Sequence, residues 1–198
     1  MKKKMKFDGK KGFIIIIILV LLVVGYYYYL SNRDVQKEEN VEITKAQELL
    51  LRDLNRNYPP TPKEVVKYYF DITKCLYNEK LSEEDIEALA LRLEEIFDEE
   101  LVAHQKREEY FQNLKTEVMA FQAGNRILNY STSSSTDVDY FEQDGQEWAR
   151  LYGTFYLQVN KTMNSLDEVF ILRRSEEGHW KIYGWEPVKE VVTDQAQE

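Results

Sequence analysis

The chain has 198 residues and a formal net charge of −9, and because six Lys against one Asp stand in its first twelve residues, the remainder is more acidic still. Such a balance disfavours nucleic acid as a partner, and no basic stripe with interleaved aromatics counters it. The single cysteine, Cys75, excludes an intrachain disulfide framework, so the folded part must be held by packing alone.

Lys2, Lys3, Lys4, Lys6, Lys10 and Lys11 precede an apolar run, Phe13 to Leu30, that closes on Tyr26, Tyr27, Tyr28 and Tyr29. At about 1.5 Å per residue the run makes roughly 27 Å of helix, just short of a hydrocarbon core of roughly 30 Å. Tyrosine rings favour the headgroup boundary and lysines cover the other side, so residues 13–30 read as one transmembrane helix in the lipid bilayer. Ser31 to Leu50 carry more acidic than basic residues, which places the lysine-rich residues 1–12 in the cytoplasm and the rest outside. A cleaved signal peptide is disfavoured because the core runs into bulky tyrosines with no small-x-small triplet, and a lipoprotein because no Cys closes it. Residues 31–58 read as a juxtamembrane linker carrying a short helix, residues 59–192 as one α+β domain, and residues 193–198 as a tail.

Thr44 and Gln47 have capping-box spacing ahead of the short helix, which Pro59-Pro60 terminates. Thr61 as N-cap with Pro62 at the first helical position starts a stronger helix, whose stripe is Val65, Tyr69, Ile72 and Leu76. Lys67, Asp71, Lys74 and Asn78 lie opposite, at spacings that suit solvated ion pairs. Ser82 with Asp85 opens the next helix, with Ile86, Leu89, Leu93, Ile96 and Phe97 as its stripe to about Val102. Tyr110, Phe111, Leu114, Val118 and Phe121 make a further helix that Gly124 is placed to cap.

After Gly124 the period changes to 2. Ile127 to Tyr130 and Val138 to Glu142 are short strands, and Asp144-Gly145 is a hairpin turn. Trp148 to Val159 alternates, with Ala149, Leu151, Phe155 and Leu157 on one face and Trp148, Tyr152 and Tyr156 on the other; Gly153 reads as a bulge or bend. Val169 to Arg174, a turn at Glu177-Gly178 and Trp180 to Trp185 complete a meander. Val169, Ile171, Trp180 and Ile182 point inward if those faces follow the same sense. The fold class is α+β, with about three helices gathered on a curved antiparallel sheet.

The helices followed by this meander, Glu168 to Arg174 running through Gly178 to Tyr183, resemble the nuclear-transport-factor-2-like superfamily. Asn57 to Tyr69 and the anchor edge Gly25 to Arg33 are similar to a family of single-span membrane proteins of unknown function from Gram-positive gut Firmicutes. The superfamily resemblance implies a cone-shaped domain whose enzymes set a carboxylate and a donor into the pocket at the open mouth. The inward faces named above supply no such pair, leaving Tyr68, Tyr69 and Glu117 as pocket candidates, against the ordinary reading of aromatic stripe residues as core. His104 and His179 find no third metal ligand at a recognisable spacing, no cofactor motif is present, and Cys75 falls on a helix stripe as an inert buried thiol. Trp148, Tyr152, Tyr156, Tyr183 and Trp185 put large rings on the outer wall, as an interface for a homodimer or an envelope protein or as cross-strand reinforcement. The resulting expectation is a membrane-anchored extracytoplasmic binding or scaffolding module without catalysis. The alternatives are an assembly subunit of a type IV secretion or conjugation machine and a small-molecule enzyme; the last needs a hydrated, polar-lined pocket, and a pocket filled by Tyr68, Tyr69, Phe155 and Trp180 would count against it.

Overall fold

The computed structural model describes residues 43–104 and 106–188, together with Val23, Val24 and Tyr26, which are helical. Two compact units divide the chain, Met1–Glu42 and Ile43–Glu198. Among the described residues no helix is long and apolar enough to cross a membrane. The expected anchor lies outside them except at those three positions, as do the basic start and the tail.

The second unit begins earlier than a linker up to residue 58 would suggest. Helix α1 (Lys45–Leu51) opens on the full capping box, with the Thr44 side chain receiving the Gln47 N–H and Gln47 reaching back. Ala46 and Leu49 are buried in the core it shares with the later helices. Helix α2 (Pro62–Asn78) is capped by Thr61, carries Pro62 in its first turn and buries ten residues along its length. Helix α3 (Glu83–Ile96) is capped by Ser82. It ends six residues before the expected Val102, because Phe97 turns to extended backbone and bridges in parallel to Ile182. A short helix α4 (Glu99–Ala103) follows, capped by Asp98, and α5 (Arg107–Gln122) comes next. Gly124 keeps a negative-side backbone and leads directly into the first strand, so it is not the left-handed cap expected of it.

The curved sheet is antiparallel, with β1 (Asn125–Thr132), β2 (Asp139–Gln143), β3 (Gln146–Val159), β4 (Thr162–Arg174) and β5 (Trp180–Pro187). Strands β1 and β2 run in succession along the same edge of β3, interrupted by a 3-10 turn at Ser135–Asp137; β4 and β5 follow on the other side. Asp144 and Gly145 both have positive φ, the tight hairpin conformation that the sequence demands there. The β3–β4 hairpin turns at Asn160 and Lys161, also at positive φ. Strand β4 is thus twice as long as the expected Val169 to Arg174, and its first half, Thr162 to Glu168, has no apolar alternation to announce it.

Ala149, Leu151, Phe155, Phe170, Leu172, Trp180 and Ile182 form the inner face, packed under α2. On β4 the inward residues are Glu168, Phe170 and Leu172, so Val169 and Ile171, expected inward, lie on the outer face. A one-residue phase error in a strand exchanges its two faces. Gly153 keeps regular pairing with Glu168 and Thr132 and is no bulge. A Cβ there would stand 2.4 Å from Cζ of Phe70, so the glycine makes room for that ring. On α2, Asp71, Lys74 and Asn78 do not form solvated pairs. Tyr130 donates to Asp71 at 2.6 Å, Lys74 donates to the Leu128 carbonyl at the β1 irregularity, and Asn78 both donates to and accepts from the Ile127 backbone.

Candidate functional site

Helical spacing puts Tyr69, Thr73, Leu76 and Tyr77 on one face of α2, and Tyr110, Leu114, Glu117 and Phe121 on one face of α5. These two faces and the inner sheet enclose a cavity of about 350 Å³, to which β3 contributes Phe155 and Leu157, β4 Leu166 and Glu168, and β5 Trp185. Its volume falls at the small end of pockets that hold small molecules. Tyr77 donates to Oε1 of Glu117 at 2.8 Å, tying α2 to α5, and stacks edge-on against Phe121. Tyr69, Phe97 and Trp185 form a ring cluster with centroids 5.2 to 6.3 Å apart.

Glu168 is the polar group that sets this cavity apart. The residue is 7% exposed, and its Oε2 is buried without a hydrogen-bond partner. A buried carboxyl with no compensating donor favours its neutral form. Burial pushes Glu168 up to about 7, so near neutral pH it exists in both forms. The Tyr69 hydroxyl is held well above its ordinary value, first by burial and then by the Glu168 charge, with a Thr73 hydrogen bond acting in the opposite sense. Burial likewise pushes Tyr77 up, reinforced by its hydrogen bond to Glu117, and Tyr110 up to about 12. Among the described residues no cluster of three or more His, Cys, Asp or Glu is arranged to hold a metal ion.

Of the three expected pocket residues, Tyr69 and Glu117 line the cavity and Tyr68 does not. One position along a helix is about 100°, which turns Tyr68 toward α1; its hydroxyl donates to the Leu49 carbonyl at 3.0 Å and the Arg52 guanidinium covers its ring. Trp180 also lies outside the cavity lining, so the cavity is open rather than filled by Tyr68, Tyr69, Phe155 and Trp180. Glu168 was invisible to alternation because it closes the polar half of β4.

Of the expected outer wall, Tyr152 and Tyr156 are exposed on β3, and Trp148 and Tyr183 meet edge-on at 5.0 Å. Trp185 lies on the other side. The β4–β5 register shifts between Ile171 and Leu172, opposite Tyr183, and this irregularity returns Trp185 to the inner face against Tyr69 and Phe97. Arg173 covers both Trp148 and Tyr183 while donating to both oxygens of Asp98 at 2.6 and 2.9 Å and to Glu100 at 2.8 Å. Tyr183 donates to Glu100 at 3.0 Å, so this end of the wall is bound into a network anchored on α4. His179 stacks on Tyr58 at 4.2 Å and His104 contacts the Glu100 carbonyl, each a structural role. Cys75 is buried, and burial raises its thiol to about 12, as expected of an inert core thiol.

Residues 1–185 match the family described as Domain of unknown function (DUF6715). The chain belongs to the DUF6715 family. No curated protein matches it. The DUF6715 chain is similar to the NMR solution structure of the transfer protein TraH from the Gram-positive conjugative plasmid pIP501, at 14% identity over 65% of this chain and 94% of that one. The TM-score is 0.34, and a superposition that loose carries neither fold nor function across.

Proposed function

We propose that this protein is a membrane-tethered, extracytoplasmic binding module whose cavity takes a small, largely apolar molecule. The observation that carries the reading is the open cavity of about 350 Å³, walled by aromatic and aliphatic side chains and holding one buried, unpartnered carboxyl. A core with no function to serve would close such a space, since voids and unsatisfied polar atoms both cost stability. The cone of the nuclear-transport-factor-2-like superfamily is the finer fold reading, supported by α2 lying across the inner face of a curved sheet. Tethering rests on the lysine-flanked run at residues 13–30.

Catalysis at the same cavity is the second reading, favoured by Glu168, whose protonation range suits a general acid or base. Binding is preferred because no side-chain donor is hydrogen-bonded to the Glu168 Oε2 to complete an acid–base pair.

The test is extraction of small molecules from the full chain purified out of its native membranes, for wild type and for Leu166→Trp, which fills the cavity from β4. A molecule released from wild type and missing from the variant supports the reading. An identical extract from both, with a variant that melts normally, refutes it.

A further inference from the structure

The residues around Glu168 say what kind of molecule the cavity accepts, given the reading of it as a ligand site. The titratable groups facing it are Tyr69 and Tyr77 from α2, Tyr110 and Glu117 from α5, and Glu168 itself from β4; no Lys, Arg or His is in the lining. Two carboxyl groups with no cation make an anion-excluding space. The Oε2 of Glu168 is buried without any donor, so a ligand that supplies one removes the cost of burying that oxygen. A neutral hydroxyl can offer one hydrogen bond, but a cation also compensates the charge of the ionised carboxyl. The ring cluster of Tyr69, Phe97 and Trp185 adds a second attraction, because aromatic faces draw cations electrostatically when water is excluded. Leu76, Leu93, Leu114 and Leu157 bound the rest of the space and require an apolar body.

We propose that the cavity selects a protonated amine on an apolar body of about aromatic-ring size, with the Glu168 carboxyl as its counter-charge and the tyrosine and tryptophan rings as its walls. The arrangement explains why an acidic residue stands at an inward strand position where its neighbours Phe170 and Leu172 are apolar: the carboxyl is uncompensated until the ligand arrives.

The experiment is calorimetric titration of the full chain in lipid nanodiscs at pH 8 with three probes sharing one body: phenethylamine, 2-phenylethanol and 3-phenylpropanoate. Phenethylamine is expected to bind at least tenfold more tightly than 2-phenylethanol, with 3-phenylpropanoate the weakest. Glu168→Gln should collapse the amine-to-alcohol ratio toward one, whereas Glu168→Asp, which keeps the charge, should preserve most of it; thermal melting of each variant confirms that it is folded. Equal affinity of wild type for amine and alcohol, or a ratio unchanged in Glu168→Gln, overturns the amine assignment while leaving the cavity reading in place. Binding of none of the probes, with the same null result for Leu166→Trp, overturns both.

Discussion

Gly153 and Glu168 are register partners on β3 and β4, and each marks a place where the inner face departs from ordinary packing. Gly153 lets the Phe70 ring reach the sheet, where it meets Phe155 edge-on at 4.4 Å and Phe170 at 5.4 Å. Gly153→Ala should destabilise the domain by about 2 kcal/mol or more through overpacking, and Phe70→Leu should recover part of that loss; thermal melting of the single and double variants checks both. Glu168 carries the opposite kind of strain. Its folded value of about 7 lies above the ordinary carboxylate range, so between roughly pH 4.5 and 7 the folded state binds more protons than the unfolded one. Stability contributed by this group is therefore greatest at acidic pH and falls by up to about 3 kcal/mol as pH rises through 7. Glu168→Gln should lose that slope: its melting temperature relative to wild type should climb between pH 5 and pH 8, and a constant difference would show that the carboxyl is not buried as described.

At the scale of elements, what was legible in the sequence was what local chemistry decides. The caps at Thr44, Thr61 and Ser82 and the Asp144-Gly145 turn stand where their residues demand, because each depends on neighbours within four positions. Two candidate pocket residues were readable as helix positions, Tyr69 on the apolar stripe of α2 and Glu117 at the border of the stripe of α5. Glu168 and the place of Trp185 were not. The first lies in a strand half whose residues, Thr162 to Asp167, are mostly polar, and the second depends on a register shift at Tyr183 that no residue preference encodes. The end of α3 at Ile96 has the same cause, a tertiary bridge from Phe97 to Ile182. That bridge delivers Asp98 to Arg173, an ion pair with only 7% and 17% of its side chains exposed. Asp98→Ala leaves the mostly buried Arg173 only the exposed carboxylate of Glu100 and uncaps α4, so it should cost about 3 kcal/mol, and Arg173→Met in the same chain should restore a measurable part of it. Additive losses in chemical denaturation of the two single variants and the double variant would contradict the coupling.

For the whole molecule, the two faces of one sheet separate two roles. The inner face holds the core and the cavity; the outer face exposes Tyr152 and Tyr156, beyond the Arg173 network that already occupies Trp148 and Tyr183. If this outer strip holds a second copy or an envelope protein, Tyr152→Ser with Tyr156→Ser should remove crosslinked species from intact membranes while lowering melting by no more than about 1 kcal/mol, since cross-strand aromatic contacts are worth little more than that. A large drop in melting with unchanged crosslinks would make the strip reinforcement only. The lysine asymmetry about residues 13–30 predicts in turn that protease added to protoplasts digests the chain beyond about Ser31 and leaves an embedded stub, whereas full protection would reverse the topology. The cavity reading rests on Glu168, whose Oε2 is buried and unpartnered. The most direct measurement is the side-chain carboxyl ¹³C resonance of Glu168, assigned by its loss in Glu168→Gln and titrated with pH in the full chain with and without phenethylamine. Burial predicts a midpoint near 7 without the probe, and the amine proposal predicts that phenethylamine displaces it downward. A midpoint in the ordinary range of about 4 to 4.5, unmoved by the probe, would contradict it.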